Sequence, residues 1–140
     1  MKRVLLSVKG RQKYQDQEPD TIELVTEGTM EYSNGGWNIC YEETELTGLA
    51  GVITDFRVEN DRVILTRSGK LNSQMVFQNG VKHDSLYQME FGALLLSVCA
   101  NRILANLDES GGMIDLIYDI EIEHSMAGQV DYHLDISVIE

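Results

Sequence analysis

Residues 114–138 read IDLIYDIEIEHSMAGQVDYHLDISV, and their alternation decides the fold. Ile114, Leu116, Tyr118, Ile120 and Ile122 fall on one face of an extended chain, with Asp115, Asp119, Glu121 and Glu123 on the other. Val130, Tyr132, Leu134, Ile136 and Val138 repeat the pattern against Asp131, His133 and Asp135. A period of two places successive side chains on opposite faces, as in half-buried antiparallel strands. Alternation of the same kind runs from Thr21 onward.

Turn signals divide the rest of the chain. Asn34-Gly35 separates Thr21–Ser33 from Gly36–Leu46, which ends at Thr47-Gly48. Asn60-Asp61 separates Gly51–Glu59 from Arg62–Ser68, and Gly69–Asn72, Asn79-Gly80 and Gly111-Gly112 mark further turns. The single proline, Pro19, stands in a polar stretch, Gln15–Asp20, that reads as a loop. Ala93–Leu107 carries spacing that suits a helix, but its neighbours favour two strand segments broken near Asn101. Counting Lys2–Lys9, about ten strands result. Because closure removes exposed edges, the pattern predicts an all-β fold: one antiparallel meander β-barrel of about 8–10 strands over residues 1–140.

Register follows from the apolar pattern, since a slip of one residue turns every side chain to the wrong face. A two-residue Asn60-Asp61 loop pairs Val58 with Val63, Phe56 with Leu65 and Thr54 with Arg67. A two-residue Asn34-Gly35 loop pairs Tyr32 with Trp37, Met30 with Ile39 and Thr26 with Glu43. A four-residue Thr47–Ala50 loop pairs Glu43 with Thr54 and Tyr41 with Phe56. At Asn79-Gly80 a two-residue loop would put Met75 and Phe77 on the face of Lys82 and Asp84. A three-residue loop with Gly80 left-handed instead pairs Phe77 with His83, Met75 with Ser85 and Ser73 with Tyr87. One inward layer is then polar (Thr26, Glu43, Thr54, Arg67, Ser73, Tyr87), while the adjoining layers are largely apolar.

Composition narrows the function. With 43% hydrophobic residues in 140, the chain carries enough apolar side chains for a core and too many for a disordered segment. A formal charge of −12 argues against nucleic acid and anionic lipid as partners, since both require clustered Lys and Arg. No apolar run is long enough for a spanning helix, and the start does not read as a signal peptide. Cys40 and Cys99, far apart and outside any CxxC, read as free thiols in a reducing cytoplasm.

Thr26-Glu27-Gly28, Tyr41-Glu42-Glu43-Thr44 with Thr47-Gly48, Arg67-Ser68-Gly69, Asn72–Phe77 with Gly80, and Tyr87 with Gly92 together resemble the YwiB-like family of small bacterial proteins. The resemblance covers nearly the whole chain and is most specific from Thr26 to Gly92. It implies a calycin-like (lipocalin-related) β-barrel, a cytoplasmic single-domain protein and an unknown function, so no catalytic residue carries over. Barrel relatives often hold small apolar ligands, which is analogy at the level of fold.

Among candidate sites, Glu43 and Arg67 come first. If both point inward they must pair, because an isolated buried charge is prohibitively costly. Arg67 could then hold a ligand's anionic group, oriented by Tyr87, Ser73 and Thr54, with the apolar part along Tyr41, Phe56, Leu65, Met75 and Phe77. The competing expectation is a structural ion pair plugging a filled barrel. His83 falls near the other end, opposite Phe77, and reads as a packed histidine. Ser68, Ser73 and His83 do not make a hydrolytic triad, since no nucleophile elbow is present and Ser73 and His83 fall in different layers. Asp131, His133 and Asp135, with Asp119, Glu121 and Glu123 on the neighbouring strand, could hold a hard cation but are explained by a solvated acidic face.

The reading is a non-enzymatic barrel binding a small hydrophobic or anionic ligand, with no cofactor and no metal. The alternatives are an interaction or homodimerisation module with a filled barrel, and an enzyme using Arg67, Tyr87 and His83 on a small acid.

Overall fold

The computed structural model describes residues 1–14, 18–45 and 49–139. The strands are β1 (Lys2–Tyr14), β2 (Asp20–Ser33), β3 (Gly36–Glu42), β4 (Val52–Val58), β5 (Val63–Gly69), β6 (Ser73–Phe77), β7 (Lys82–Met89), β8 (Gly92–Asp108), β9 (Gly111–Ile122) and β10 (Ser125–Val138). They form one 10-stranded antiparallel sheet in the order β6-β5-β4-β3-β2-β1-β10-β9-β8-β7, curled into a nearly closed barrel. The predicted all-β meander is the observed one. The predicted Thr47-Gly48 turn and residues 15–17 of the polar stretch lie outside the described residues.

Two hairpins have the expected register. Asn34 and Gly35 take positive φ (50° and 80°) in a two-residue turn, pairing Tyr32 with Trp37 and Met30 with Ile39. At Asn60-Asp61, Val58 pairs with Val63, Phe56 with Leu65 and Thr54 with Arg67. Residues 93–107 are strand, not helix. The break expected near Asn101 is a bulge between Ala100 and Arg102 inside one continuous β8, which lets the strand bend without ending.

Two expected registers are corrected. Between β3 and β4, Tyr41 pairs with Thr54 and Ile39 with Phe56, and the Glu43 amide donates to the Val52 carbonyl at 2.8 Å. The connection is therefore longer than four residues, and the strand slides by two positions. A slip of two keeps every side chain on its face, so the apolar pattern is blind to it. The Thr26–Glu43 pair also fails to form, because the β2–β3 ladder stops at Gly28–Tyr41. There, a Cβ on Gly28 would lie 2.4 Å from the Cys40 carbonyl oxygen, so only glycine fits.

Between β6 and β7 the expected ladder is missing. The strands meet at their ends, where Asn72 and Gln88 exchange backbone hydrogen bonds of 2.9 and 2.8 Å and the Val81 amide donates to the Gln78 carbonyl at 3.0 Å. Asn72–Gln88 sits in the predicted register, but Gln78–Val81 closes a two-residue turn at Asn79 and Gly80, with Gly80 left-handed (φ 74°). The two bridges differ by one residue. A continuous ladder cannot satisfy both and keep Met75 and Phe77 inside, so the pairing lapses between them and leaves a seam.

Inside, side chains stack in layers. Met30, Ile39, Phe56, Leu65 and Met75 follow one another across β2 to β6, all buried. On the other side of the barrel Leu6, Leu134, Ile114 and Leu116 are buried as deeply. The middle of the barrel is filled.

Candidate functional site

One layer beyond Phe56 the interior turns polar. Gly28, Tyr41, Thr54, Arg67 and Ser73 lie side by side across β2 to β6, and Glu43 reaches in from the end of β3. Tyr41, Glu43, Thr54 and Ser73 are buried, and the Arg67 side chain is 14% exposed. The sequence places these groups here because each holds an inward position on its strand.

The contacts within the layer are uneven. The Thr54 hydroxyl donates to Glu43 Oε2 at 2.5 Å, a short charge-assisted bond. Arg67 Nε stands 4.0 Å from the same oxygen, an ion pair without hydrogen-bond geometry. Tyr41 and Tyr132 share a hydrogen bond of 2.7 Å between their hydroxyls, and the Tyr132 ring packs 5.6 Å from Phe56. Among the described residues, three buried side-chain polar atoms have no hydrogen-bond partner: Arg67 Nε, Ser73 Oγ and Ser85 Oγ. Buried donors are satisfied as a rule, so a guanidinium N–H left open is the feature of this end that requires a reason.

The electrostatics favour a charged Arg67. Burial works against its charge, but Tyr132, Glu43, Tyr118 and Tyr41 outweigh that and hold its pKa above the ordinary arginine value. Burial pushes the hydroxyls of Tyr41, Tyr118 and Tyr132 up from the usual tyrosine value; Arg67 pulls against this in all three without cancelling it. At neutral pH the phenols are therefore protonated and able to donate hydrogen bonds.

Arg67 is also part of the wall of a cavity of about 240 Å³. Met75 and Tyr87 stand beside it, Tyr14, Tyr118 and Gln12 close the polar side, and Leu94, Leu96, Ile120, Ile122 and Val130 make the apolar side. Of the residues predicted for a ligand site, the structure thus gathers Arg67, Met75 and Tyr87 on the cavity. Glu43, Thr54, Tyr41 and Ser73 form the shell behind Arg67. Phe56, Phe77 and Leu65 lie in the packed core, so the apolar wall comes from β8, β9 and β10 instead. His83 is elsewhere, its Nε2 3.1 Å from Gln78 Oε1.

Sequence reasoning missed Tyr14, Tyr118 and Tyr132, having counted the last two among apolar faces. A signal existed: a phenol on an inward strand face needs a polar partner, and two such phenols on neighbouring strands point to one place.

Several side chains of the acidic outer face have partners on that face. His133 lies 3.4 Å from Asp115 and 3.1 Å from Asp135, Lys82 bonds Glu121 at 2.9 Å, and Glu123 accepts from the Leu95 amide at 2.9 Å. Among the described residues no group of three or more His, Cys, Asp or Glu side chains has the geometry to hold a metal ion.

Comparison with known proteins places this geometry. The family described as "Domain of unknown function (DUF1934)" matches residues 6–136. The chain is 30% identical over 82 residues to the uncharacterized beta-barrel protein YwiB of Bacillus subtilis (strain 168), a match covering 59% of this chain and 56% of that protein. The aligned segment thus spans little more than half the length of that relative. The crystal structure of the ywiB protein from Bacillus subtilis superposes with a TM-score of 0.82 at 25% identity, covering 96% of this chain and 91% of that one.

Proposed function

This chain belongs to the DUF1934 family of β-barrel proteins, and for it we propose that the barrel is a binding protein for a small amphipathic anion held at its polar end. The observation that carries the reading is Arg67: a largely buried guanidinium whose Nε makes no hydrogen bond, in a residue on the wall of a cavity whose other side is aliphatic. A ligand's anionic oxygen would complete the guanidinium's hydrogen bonds, as planar donors of this kind do for carboxylates. Tyr87 and Tyr118 would orient it, and Leu94, Leu96 and Ile122 would receive its apolar part. Sites for drug-sized ligands run to about 300–1,000 Å³, so a cavity of about 240 Å³ suits a compact acid rather than a long lipid. The neighbouring carboxylate of Glu43 favours a singly charged group over a doubly charged one.

The up-and-down strand order, interrupted in its pairing at the seam between β6 and β7, supports reading the barrel as calycin-like. Cys40 and Cys99 are free thiols, which supports a reducing compartment such as the cytoplasm. A non-enzymatic role is supported by His83, which bonds an amide side chain and not a carboxylate.

Native mass spectrometry of protein from its own cell, followed by titration with small carboxylic acids monitored by NMR, tests the proposal. Expected are shifts centred on Tyr87, Leu94 and Leu96, and a loss of affinity of at least about tenfold, near 1.4 kcal/mol, in Arg67→Met. Removing one partner of a buried pair destabilises by about 3–5 kcal/mol, so Glu43→Gln/Arg67→Met serves as the folded control. Equal affinity in this double variant, or no acid that shifts the cavity residues, overturns the reading.

A further inference from the structure

The β8 strand carries a free edge. Its other side pairs with β9 as far as Asp108–Gly111, but β7 covers it only from Gly92 to Cys99. The Gly80 amide donates to the Ala100 carbonyl at 3.0 Å. Beyond the bulge at Asn101, no strand among the described residues pairs with this side of residues 101–108. The edge borders a cleft of about 540 Å³ whose walls include Ile103, Leu107 and, opposite, Trp37 and Val63. An unpaired edge is a template for another strand, and proteins guard such edges with proline, inward charges or cover. Residues 101–108, NRILANLD, contain no proline, and Ile103, Ala105 and Leu107 take the inward positions.

We propose that a second copy of this chain pairs with this edge, β8 against β8 antiparallel, about a two-fold axis at Ala105. The sequence of the edge is self-complementary in that register. On the outer face Arg102 meets Asp108 of the second copy, Leu104 meets Asn106, and the two-fold repeats both pairs. On the inner face Ile103 meets Leu107 and Ala105 meets Ala105. An isologous contact requires that one patch complement itself, and opposite charges placed directly across a strand pair favour it. Sliding the axis by one or two residues in either direction along the strand loses the Arg–Asp pairs. Both charged groups are accessible: Arg102 is 58% exposed and approaches Asp115 at 3.8 Å through Nε, and Asp108 holds the adjacent turn by accepting from Ser110. The net charge of −12 opposes self-association at long range, which salt screens within about 8 Å at physiological strength. A contact this short forms a weak dimer that depends on concentration.

Sedimentation equilibrium of the full chain at physiological salt tests the proposal. The wild type should dimerise as concentration rises. Arg102→Asp and Asp108→Arg, each folded by circular dichroism, should each weaken the dimer at least about tenfold. An equimolar mixture of these two variants should restore it, because the first then carries acids at positions 102 and 108, the second carries bases at both, and each cross-axis pair again joins opposite charges. The double variant in one chain should also dimerise, with the two charges exchanged. A wild type that stays monomeric, a dimer indifferent to both reversals, a mixture that fails to recover, or an edge occupied by a different protein overturns the proposal.

Discussion

Two adjacent layers of the barrel are built by the same strands, two residues apart along each. Ile39, Phe56, Leu65 and Met75 make one; Tyr41, Thr54, Arg67 and Ser73 make the other. Both are largely removed from water, the second less completely at Arg67. The first contains only carbon and the Met75 thioether, so burial is pure gain at about 25 cal/mol per Å². The second carries hydroxyls and a guanidinium, two of whose atoms, Arg67 Nε and Ser73 Oγ, have lost water without gaining a hydrogen bond. Each such loss costs about 1–3 kcal/mol. Stability is supplied by one layer and given up in the next, and a fold tolerates such a deficit where a ligand offsets it.

Substitutions can break that contrast. Phe56→Ala in the apolar layer should cost about 3–5 kcal/mol, read as a lower urea midpoint, and should leave ligand affinity unchanged in the fraction that remains folded. A loss under about 1 kcal/mol would mean that the layer is not close-packed. High pH should attack the polar layer selectively. Tyr41, Tyr118 and Tyr132 have their pKa values raised by burial. The folded chain therefore keeps protons that the unfolded chain releases above the ordinary tyrosine value of about 10. Their contribution is complete below that pH and is lost as pH rises beyond it, by up to about 1.4 kcal/mol per pH unit for each tyrosine. Tyr41→Phe should flatten the alkaline limb of the stability curve; an unchanged slope would contradict the buried-phenol account. The smallest effect is expected at Ser73. Ser73→Ala removes an unpartnered hydroxyl, so melting should be unchanged or slightly higher in the empty protein. A clear loss of stability would show that the hydroxyl has a partner.

The same contrast explains what the sequence could tell. Registers at Asn34-Gly35 and Asn60-Asp61 were legible because a one-residue slip there would expose Phe56 or Met30. The slide of β3 on β4 was not, since two residues of shift leave Tyr41 and Ile39 facing inward. The seam between β6 and β7 was hidden because each end of the hairpin satisfies its own local rule and only their combination fails. Arg67, Met75 and Tyr87 could be placed on one side of the barrel from the turns of β4 to β7. The other half of the cavity wall comes from Leu94, Leu96 and Ile122, in strands whose regular alternation looks like ordinary core. Alternation reports which face a residue occupies and says nothing of how full the space beyond it is.

The position of the seam has a consequence for the order of the chain itself. Along the sheet, the gap in pairing falls between β6 and β7, in the middle of the sequence, while β1 and β10 ladder from Val4–Val138 to Tyr14–Gly128. Every other ladder joins strands consecutive in sequence. Joining residue 140 to residue 1 and opening the chain between Asn79 and Gly80 would make the β1–β10 contact as local as the rest. The cut would fall where the wall is already held by little more than a turn. Such a circular permutant would keep the barrel's strand order and lower its contact order, and topologies of low contact order fold faster. The native chain instead carries one long-range ladder, β1 against β10, that the permutant would turn into a local one.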